Sequence, residues 1–389
     1  MENKSFINSI VFLSLTTIIV LACGTLPPAA APTAPEPTIT KQPSSPTATI
    51  IPPTNTPNPP TPTATPFPVV ITADNVQAVS ARYELWVPED SVRALAFSPD
   101  SSLLVTGTGM NLSSPDQKLR LYDVETGTLI TESEKLYTII WDVAFTPDGS
   151  KIAVALDNGS IQIRNAKDLS LGDKIELPGP VNSISLSPEG KRIAAGVAEA
   201  DSDDGVVYIW DLDNREILLK FWAHPYSVPS MDFSPDGRLL ATGAVDRSVK
   251  IWDSQSGALI DTLSQAGQGT AIKFSPDGSL LASGLCSESI NLDCQIGSVI
   301  LWDSASWGIS KILTGPGDWV DGVAFTPNMS ILAGASRNGL VYLWRLSDGT
   351  LLHTLGGQPY GVDAIAVSSN GSAIATGAYK SAIIWGVVR

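Results

Sequence analysis

The chain has 389 residues and carries 24 Lys and Arg against 39 Asp and Glu, a formal net charge of −15. This acidic balance argues against nucleic acid as a partner, because phosphate binding needs a surplus of cationic side chains. Charged residues make up only 16% of a chain with 32 Gly and 29 Pro, which favours an all-β protein rich in turns. Three Cys and two His leave little room for a zinc cluster, and no metal or other cofactor is predicted.

The first 22 residues are predicted to be an export signal. A lysine at position 4 precedes a 17-residue, mostly apolar stretch at 6–22. The sequence Ala22-Cys23-Gly24 at its end resembles the lipobox of bacterial lipoproteins, and the resemblance implies that Cys23 is lipidated and becomes the mature N-terminus. The alternative is an uncleaved membrane helix. Both interpretations place the rest of the chain outside the cytoplasm, at the outer face of a membrane of the cell envelope.

Residues 23–75 are predicted to be the lipidated cysteine and a disordered linker. Positions 25–70 contain 15 Pro and 11 Thr, a composition that favours extended polyproline conformations over a packed core. At about 3.1 Å per residue, the tract would reach on the order of 140 Å and hold a domain away from the membrane. The alternative is a leader without that role. The folded domain is predicted at residues 76–389.

One pattern occurs seven times after residue 90. It consists of a short apolar alternation, a Ser or Thr, and a turn with Pro, then Asp or a related residue, then in most copies Gly. Repeats 1 to 7 are named here by that hydroxyl residue, in order Ser98, Thr146, Ser187, Ser234, Ser275, Thr326 and Ser368. Spacings of 41 to 51 residues, with four short strands in each copy, indicate the blades of a β-propeller.

The ends of the third strands carry a family resemblance. They read Tyr122-Asp123, Trp210-Asp211, Trp252-Asp253, Trp302-Asp303, Trp344-Arg345 and Trp385-Gly386, with Arg164-Asn165 as the exception. This resembles the WD-repeat β-propeller family over roughly residues 79–389. The resemblance implies a hydrogen-bonded tetrad inside a blade, and repeat 4 has all its members at matching places, namely His224, Thr242, Asp246 and Trp252.

Counting strands predicts how the ring closes. The seventh repeat stops just after its third strand, and an open sheet edge there would favour aggregation. The spare strand is residues 80–87, which precede the first repeat. We expect it to pair with residues 382–388, which makes a seven-bladed propeller of four-stranded antiparallel blades. The propeller is expected to be a monomer.

Repeats 1, 3 and 5 are longer than their neighbours. The additional residues lie between the second and third strands, at 109–118, 198–205 and 286–297, so all three insertions are expected on one face. The alternative is that they are tolerated surface insertions. Cys286 and Cys294 lie in the third insertion and are predicted to form a disulfide in an exported domain. The acidic segment 199–205 fits a calcium loop poorly, and a solvated acidic turn is the preferred interpretation.

Candidate partner-binding residues stand where the first strand of each repeat begins, at the mouth of the central channel. They are Arg93, Trp141, Asn182, Asp321 and Asp363, with aromatic neighbours Trp319, Tyr226 and Tyr360. The residue type at this position varies between repeats. The alternative is that Trp141 and Trp319 only pack between blades.

No catalytic motif is found, and both histidines have structural explanations, His224 in the tetrad and His353 in an outer strand. The favoured hypothesis is a membrane-anchored, non-enzymatic scaffold that binds protein or peptide partners on its loop-rich face. The alternative is a cell-surface propeller that binds or hydrolyses glycans, for which paired carboxylates such as Asp321 and Asp363 are candidates.

Overall fold

Antiparallel β-strands build the part of the chain that the structure describes. The structure is a computed structural model, and it describes residues 69–199, 204–290 and 293–387, so the predicted export signal, Cys23 and most of the linker lie outside it. A 3-10 helix, Val76–Ala78, precedes the strands. The strands are β1 Val79–Phe97, β2 Leu103–Thr108, β3 Leu119–Asp123, β4 Leu129–Glu132, β5 Ile140–Phe145, β6 Lys151–Leu156, β7 Ser160–Asn165, β8 Leu171–Glu176, β9 Val181–Leu186, β10 Arg192–Ala198, β11 Asp204–Asp211, β12 Glu216–Pro225, β13 Ser230–Phe233, β14 Leu239–Gly243, β15 Ser248–Asp253, β16 Leu259–Ser264, β17 Gln268–Phe274, β18 Leu280–Ile290, β19 Asp293–Asp303, β20 Ile309–Thr314, β21 Val320–Phe325, β22 Ile331–Ser336, β23 Val341–Arg345, β24 Leu351–Leu355, β25 Ala364–Val367 and β26 Ala373–Val387.

Repeats 2 to 6 each form one four-stranded antiparallel sheet. Within each sheet the strands follow one another in chain order, from β5-β6-β7-β8 in repeat 2 to β21-β22-β23-β24 in repeat 6. The all-β class and the four strands per repeat are therefore confirmed. The first strand of each repeat is called its inner strand below, and the fourth its outer strand.

Repeats 7 and 1 share one sheet, ordered β25-β26-β1-β2-β3-β4, because β1 serves both. The first part of β1 pairs with β26, from Val79 opposite Val387 to Trp86 opposite Ser381. The second part pairs with β2, from Val92 opposite Thr108 onward. The segment predicted to be the spare strand thus lies beside the last strand of the described chain.

Neighbouring sheets meet at their inner strands and bury the core between them. The contacts run from β1 to β5, β9, β13, β17, β21 and β25 in turn, and β25 also contacts β1. One apolar cluster joins Leu121 of β3 to Val143 of β5 and Ile152 of β6, all of them buried. Burial between sheets explains why second and third strands are apolar on both faces.

The recurrent hydroxyl has the same role in all seven repeats. Its Oγ atom accepts a hydrogen bond of 2.9–3.0 Å from the backbone N–H five residues later, where the second strand begins; the donors are residues 103, 151, 192, 239, 280, 331 and 373. The turn residue lies two positions after the hydroxyl residue. In repeat 2 it is Asp148, whose Oδ1 accepts hydrogen bonds from the Thr146 hydroxyl and the Ser150 N–H. Those hydrogen bonds lower the pKa of Asp148 to about 2. Gly occupies the left-handed position in most turns, but Ser101 and Met329 adopt it with φ of 64° and 55°.

Removing an apolar contact from the first part of β1 tests whether its pairing with β26 stabilises the fold. Leu85 is 4% exposed, lies opposite Ala382 and packs in the cluster shared by repeats 7 and 1. We expect Leu85→Ala to lower the free energy of unfolding by about 2–4 kcal/mol in urea denaturation. Glu84→Ala, on the exposed side of the same strand, should change it by less than about 0.5 kcal/mol. Equal small effects of both substitutions would mean that the segment contributes little.

Candidate binding face

A β-bulge recurs at the candidate position of the inner strands. The pairing register with the second strand shifts at residue 93 of β1, at 141 of β5, at 182 of β9, at 270 of β17 and at 321 of β21. A bulge leaves one residue without a place in the ladder and redirects its side chain. Arg93, Trp141, Asn182 and Asp321 are therefore placed by the same irregularity, which the sequence pattern did not reveal.

Arg93 and Trp141 form one contact between two repeats. The guanidinium carbon of Arg93 lies 5.1 Å from the centroid of the Trp141 ring. The indole Nε1 of Trp141 donates a 2.9 Å hydrogen bond to Oδ1 of Asp157. A cation stacked on an aromatic ring is a rigid arrangement that leaves part of both groups accessible.

A second stack, of Arg337 on Trp319, occupies the start of β21. The guanidinium carbon lies 5.0 Å from the ring centroid, and the same group donates hydrogen bonds to both oxygens of Asp321. Trp319 is only 9% exposed, which agrees with the packing alternative for this residue. Asp321 is thus held in an ion pair.

Asp363 lies just before β25 and accepts a 2.5 Å hydrogen bond from the hydroxyl of Ser91 on β1. Burial raises the pKa of Asp363 above its ordinary value, although the hydrogen bond from Ser91 and the charge of Arg93 act in the opposite direction. The contact links the inner strands of repeats 7 and 1 at the candidate face.

Two polar atoms at this face are buried without hydrogen bonds in the described part of the chain. They are Nε of Arg93 and Oδ1 of Asn182. A buried polar atom left unpaired costs about 1–3 kcal/mol, so a ligand or water that supplies the missing partner is favoured at such a place.

Three aromatic side chains are exposed near the starts of inner strands. Tyr226 is 62% exposed and Tyr360 70%, and the ring of Tyr360 packs edge-on against Tyr379 with centroids 5.2 Å apart. Trp86, which is not among the predicted partner-binding residues, is 63% exposed on β1. The sequence could have identified Trp86 as exposed, because it alternates with the apolar residues Leu85 and Val87, which are buried.

Each insertion begins beside the start of its inner strand. Gly109 N–H donates to Ser91 O, Ala198 N–H to Pro180 O, and Cys286 lies opposite Gln268 in the ladder. In repeat 5 the insertion continues β18 and β19 as a hairpin, and Cys286 and Cys294 are joined by a disulfide that packs against Trp319. Within each sheet, the insertion and the candidate residue therefore share one end.

The acidic insertion lies partly outside the described residues. Glu199 accepts a hydrogen bond from Tyr208 and forms an ion pair of 2.7 Å with Lys220, which lowers the pKa of the carboxyl. Among the described residues, no group of three or more His, Cys, Asp and Glu is placed to hold a metal ion. In the same ranges, no helix has the length and apolar character needed to cross a bilayer.

The four tetrad residues of repeat 4 form one hydrogen-bonded chain. Trp252 Nε1 donates to Thr242 Oγ1 at 2.9 Å, and Thr242 Oγ1 lies 2.8 Å from His224 Nε2. His224 Nδ1 lies 2.9 Å from Asp246 Oδ2. His224, Thr242 and Trp252 are buried, and the hydrogen-bonded chain links β12, the outer strand of repeat 3, to β14 and β15 of repeat 4.

Two glutamines stand at the place of His224 in other repeats. Gln265 and Gln358 each lie nine residues before the end of an inner strand, as His224 does, and are 7% and 2% exposed. Both amide atoms of each lack hydrogen-bond partners within the described ranges. Trp302 and Trp385 still donate to Ser283 and Thr376 at 2.9 Å. Counting back from the repeat would have identified both glutamines.

Polar side chains join the inner strands of repeats 2 to 5. Asp142 accepts from Ile184 N–H at 2.9 Å, and Asp232 accepts from Phe274 N–H at 2.8 Å. Ser185 and Ser230 make the same kind of contact to the next inner strand. Inner strands are sheet edges, so these acceptors satisfy N–H groups that the ladder leaves unpaired.

The position of Asp142 between inner strands gives its carboxyl an unusually high pKa. Burial raises its pKa to about 6, although hydrogen bonds from Ile184 and Val143 and the charge of Lys273 lower it. Lys273 itself forms an ion pair of 2.9 Å with Asp232.

Comparison with known proteins identifies the family. The pattern described as "WD domain, G-beta repeat" matches residues 83–123, 174–211, 215–253, 307–345 and 349–386, together just over half of the chain. The chain belongs to the WD-repeat family. The matches fall on repeats 1, 3, 4, 6 and 7. Repeat 2 has Arg164 in place of the tryptophan and repeat 5 carries the long hairpin.

Similar proteins are known from eukaryotes. The WD repeat-containing protein SL1-17 of Schistosoma mansoni is 32% identical over 156 residues, 40% of this chain and 50% of that protein. The serine-threonine kinase receptor-associated protein of Bos taurus is 30% identical over 146 residues, 38% of this chain and 40% of that protein. The COMPASS component SWD3 of Saccharomyces cerevisiae is 27% identical over 223 residues, 55% of this chain and 67% of that protein. The chain spans half the length of the schistosome protein and less of the bovine one.

The raised pKa of Asp142 predicts a pH-dependent stability difference. The folded state holds the proton on the Asp142 carboxyl more tightly than the unfolded chain does. The contribution of this protonated carboxyl to the free energy of unfolding is therefore complete below pH about 4 and is lost as the pH rises through about 6. Asp142→Asn should therefore gain stability relative to the unmodified protein between pH 4 and 7. We expect the gain to be on the order of 1 kcal/mol, because solvent screens a half-buried carboxylate.

The measurement is urea denaturation across that pH range. Asp148→Asn is the control with the opposite sign, since the pKa of Asp148 is lowered and its contribution is present at neutral pH and lost in acid. A difference between Asp142→Asn and the unmodified protein that does not change with pH would contradict the assignment.

Proposed function

We propose that the domain is a closed seven-bladed propeller that binds protein or peptide partners at the face where the inner strands begin. The ring is supported by the chain of contacts from β1 through β25 and back to β1. It is also supported by the pairing of β1 with β26, which leaves no unpaired outer position in repeat 7.

The recurrent bulge is the observation that carries the binding proposal. It presents a different side chain from each repeat at an equivalent place, Arg93, Trp141, Asn182 and Asp321 among them. A common scaffold with variable side chains at one rim is suited to specific recognition of a partner.

The relatives support a scaffold role. WD-repeat proteins generally act as protein-interaction scaffolds, and two of the relatives are named for association with a receptor and for membership of a complex. We extend that role to this chain without catalytic activity. Asp321 and Asp363 are engaged by Arg337 and Ser91, which disfavours them as a glycosidase pair.

We propose that the protein lies at the outer face of a cell-envelope membrane. Residues 1–22 would be removed, Cys23 would carry the lipid, and the proline-rich linker would lead to the domain. The Cys286–Cys294 disulfide fits an oxidising compartment, where such a bond persists. Closing a loop of that length stabilises the folded state by about 2.5 kcal/mol in the chain-entropy account.

Substitution at the rim tests the binding proposal. Arg93→Glu with Trp141→Ala removes the stack and reverses a charge, so we expect at least about tenfold less partner to be recovered after crosslinking on intact cells and affinity capture. Arg238→Glu, a charge reversal at an exposed position in the repeat 4 turn, is the control. The unmodified protein, the double variant and Arg238→Glu should have the same thermal unfolding midpoint. If all three then recover the same amount of partner, the binding site lies elsewhere.

Metabolic labelling with an alkyne fatty acid tests the anchor in the native host. The full chain should take up the label and fractionate with membranes, because a lipid on Cys23 buries its hydrocarbon in the bilayer. Cys23→Ser should lose the label and leave the membrane fraction. Label that persists in Cys23→Ser, or its absence from the unmodified chain, would refute the lipid anchor.

A further inference from the structure

The insertion of repeat 1 is built around buried polar groups. The Asp90 carboxylate, with no exposed surface on the residue, accepts hydrogen bonds from Met110 N–H at 2.7 Å and Gln117 N–H at 3.2 Å. Ser114 Oγ accepts from the N–H groups of Met110 and Asn111, both at 3.0 Å. These contacts hold the backbone of residues 109–118 in one conformation.

The same insertion is joined to the connection that enters repeat 2. Leu136 N–H donates to Gln117 O at 2.9 Å, and Lys135 Nζ donates to Ser114 O at 3.0 Å. Gly109 has a φ of 150°, and a Cβ added to it would lie 2.9 Å from Ile139 Cα, so the two segments touch along their backbones. The insertion and the connection therefore form one surface.

This surface presents apolar side chains to solvent. Met110 is 42% exposed, Leu112 66% and Tyr137 77%, although buried groups fix the backbone beneath them. Met and aromatic residues are enriched at binding interfaces. A loop already fixed in one conformation loses little entropy on binding, which favours affinity. We name Met110, Leu112, Tyr137 and Lys135 the repeat 1 patch.

The charge at the repeat 1 patch is positive, in a chain whose net charge is −15. Lys135 lies 5.3 Å from the ring centroid of Tyr137 and forms no ion pair with a carboxylate of the described residues. Acids of the insertion and the connection are already engaged, Asp90 by backbone N–H groups, Asp116 by Arg120 and Glu134 by Arg164.

We infer that the repeat 1 patch binds a peptide segment that combines apolar side chains with Asp or Glu. The apolar side chains cover Leu112 and Tyr137, and the carboxylate pairs with Lys135. The inference rests on the proposed function and specifies which part of the rim recognises the partner and by what chemistry.

Selection from a displayed library of random 12-residue peptides on the full chain tests the inference. We expect enriched peptides to contain apolar residues with Asp or Glu. Synthetic copies should bind Leu112→Ser/Tyr137→Ser at least about tenfold more weakly, and Lys135→Glu likewise, in fluorescence anisotropy. Leu171→Ser/Leu259→Ser, which removes two outer-strand leucines that are 52% and 51% exposed, should bind the peptides as the unmodified chain does.

Each other outcome overturns the inference. Enrichment of basic peptides, or no enrichment, would show that the patch does not recognise acidic segments. Peptides that keep their affinity for Leu112→Ser/Tyr137→Ser but lose it for Arg93→Glu would overturn the patch and leave the proposed rim function standing. A monomer–dimer equilibrium in sedimentation that Leu112→Ser/Tyr137→Ser abolishes would assign the patch to a second copy of the chain.

Discussion

The double pairing of β1 is the constraint on which the rest of the structure depends. One strand of 19 residues gives its first part to β26 and its second part to β2. Because the two parts belong to different repeats, the ends of the repeated region cannot separate without breaking one of these two ladders. The apolar cluster around Leu85 and Leu104 adds burial to this connection. Loss of that connection would expose two sheet edges at once.

Within each repeat, a hydroxyl residue and the turn after it establish the geometry. The Oγ atom that accepts a hydrogen bond from the N–H five residues later fixes where the second strand starts. In repeats 1, 2, 4 and 5 a turn aspartate also accepts a hydrogen bond from that hydroxyl, as Asp100 does from Ser98. Both are local contacts within a few residues, so each repeat forms them independently of its neighbours. This explains why the motif survives in repeat 2, whose third strand has Arg164 in place of tryptophan.

Arg164 illustrates how one repeat replaces the lost aromatic ring. Its side chain is 1% exposed and donates to Leu169 O and to Glu134 of the preceding connection. A buried guanidinium needs such partners, because an unpaired charge in the interior is strongly disfavoured. The hydrogen bonds lower the pKa of Glu134. Repeats 5 and 7 differ again, since they keep the tryptophan and its hydroxyl acceptor and place Gln265 and Gln358 where repeat 4 has His224.

Sequence alone determined the all-β class and the four strands of a repeat, and it predicted seven repeats and the tetrad residues, because these depend on contacts a few residues apart or on a fixed period. The repeat also located the insertions, and the cysteine count singled out Cys286 and Cys294. Only the tertiary structure decided which candidate side chains are accessible. Trp319 is buried under Arg337, while Trp86 and Leu112 are exposed. The bulges that redirect Arg93 and Asn182, and the carboxylates that satisfy the next inner strand, arise from register and from neighbouring sheets. The N–H groups that the carboxylates of Asp142 and Asp232 satisfy lie 42 residues away in the chain, beyond any local pattern.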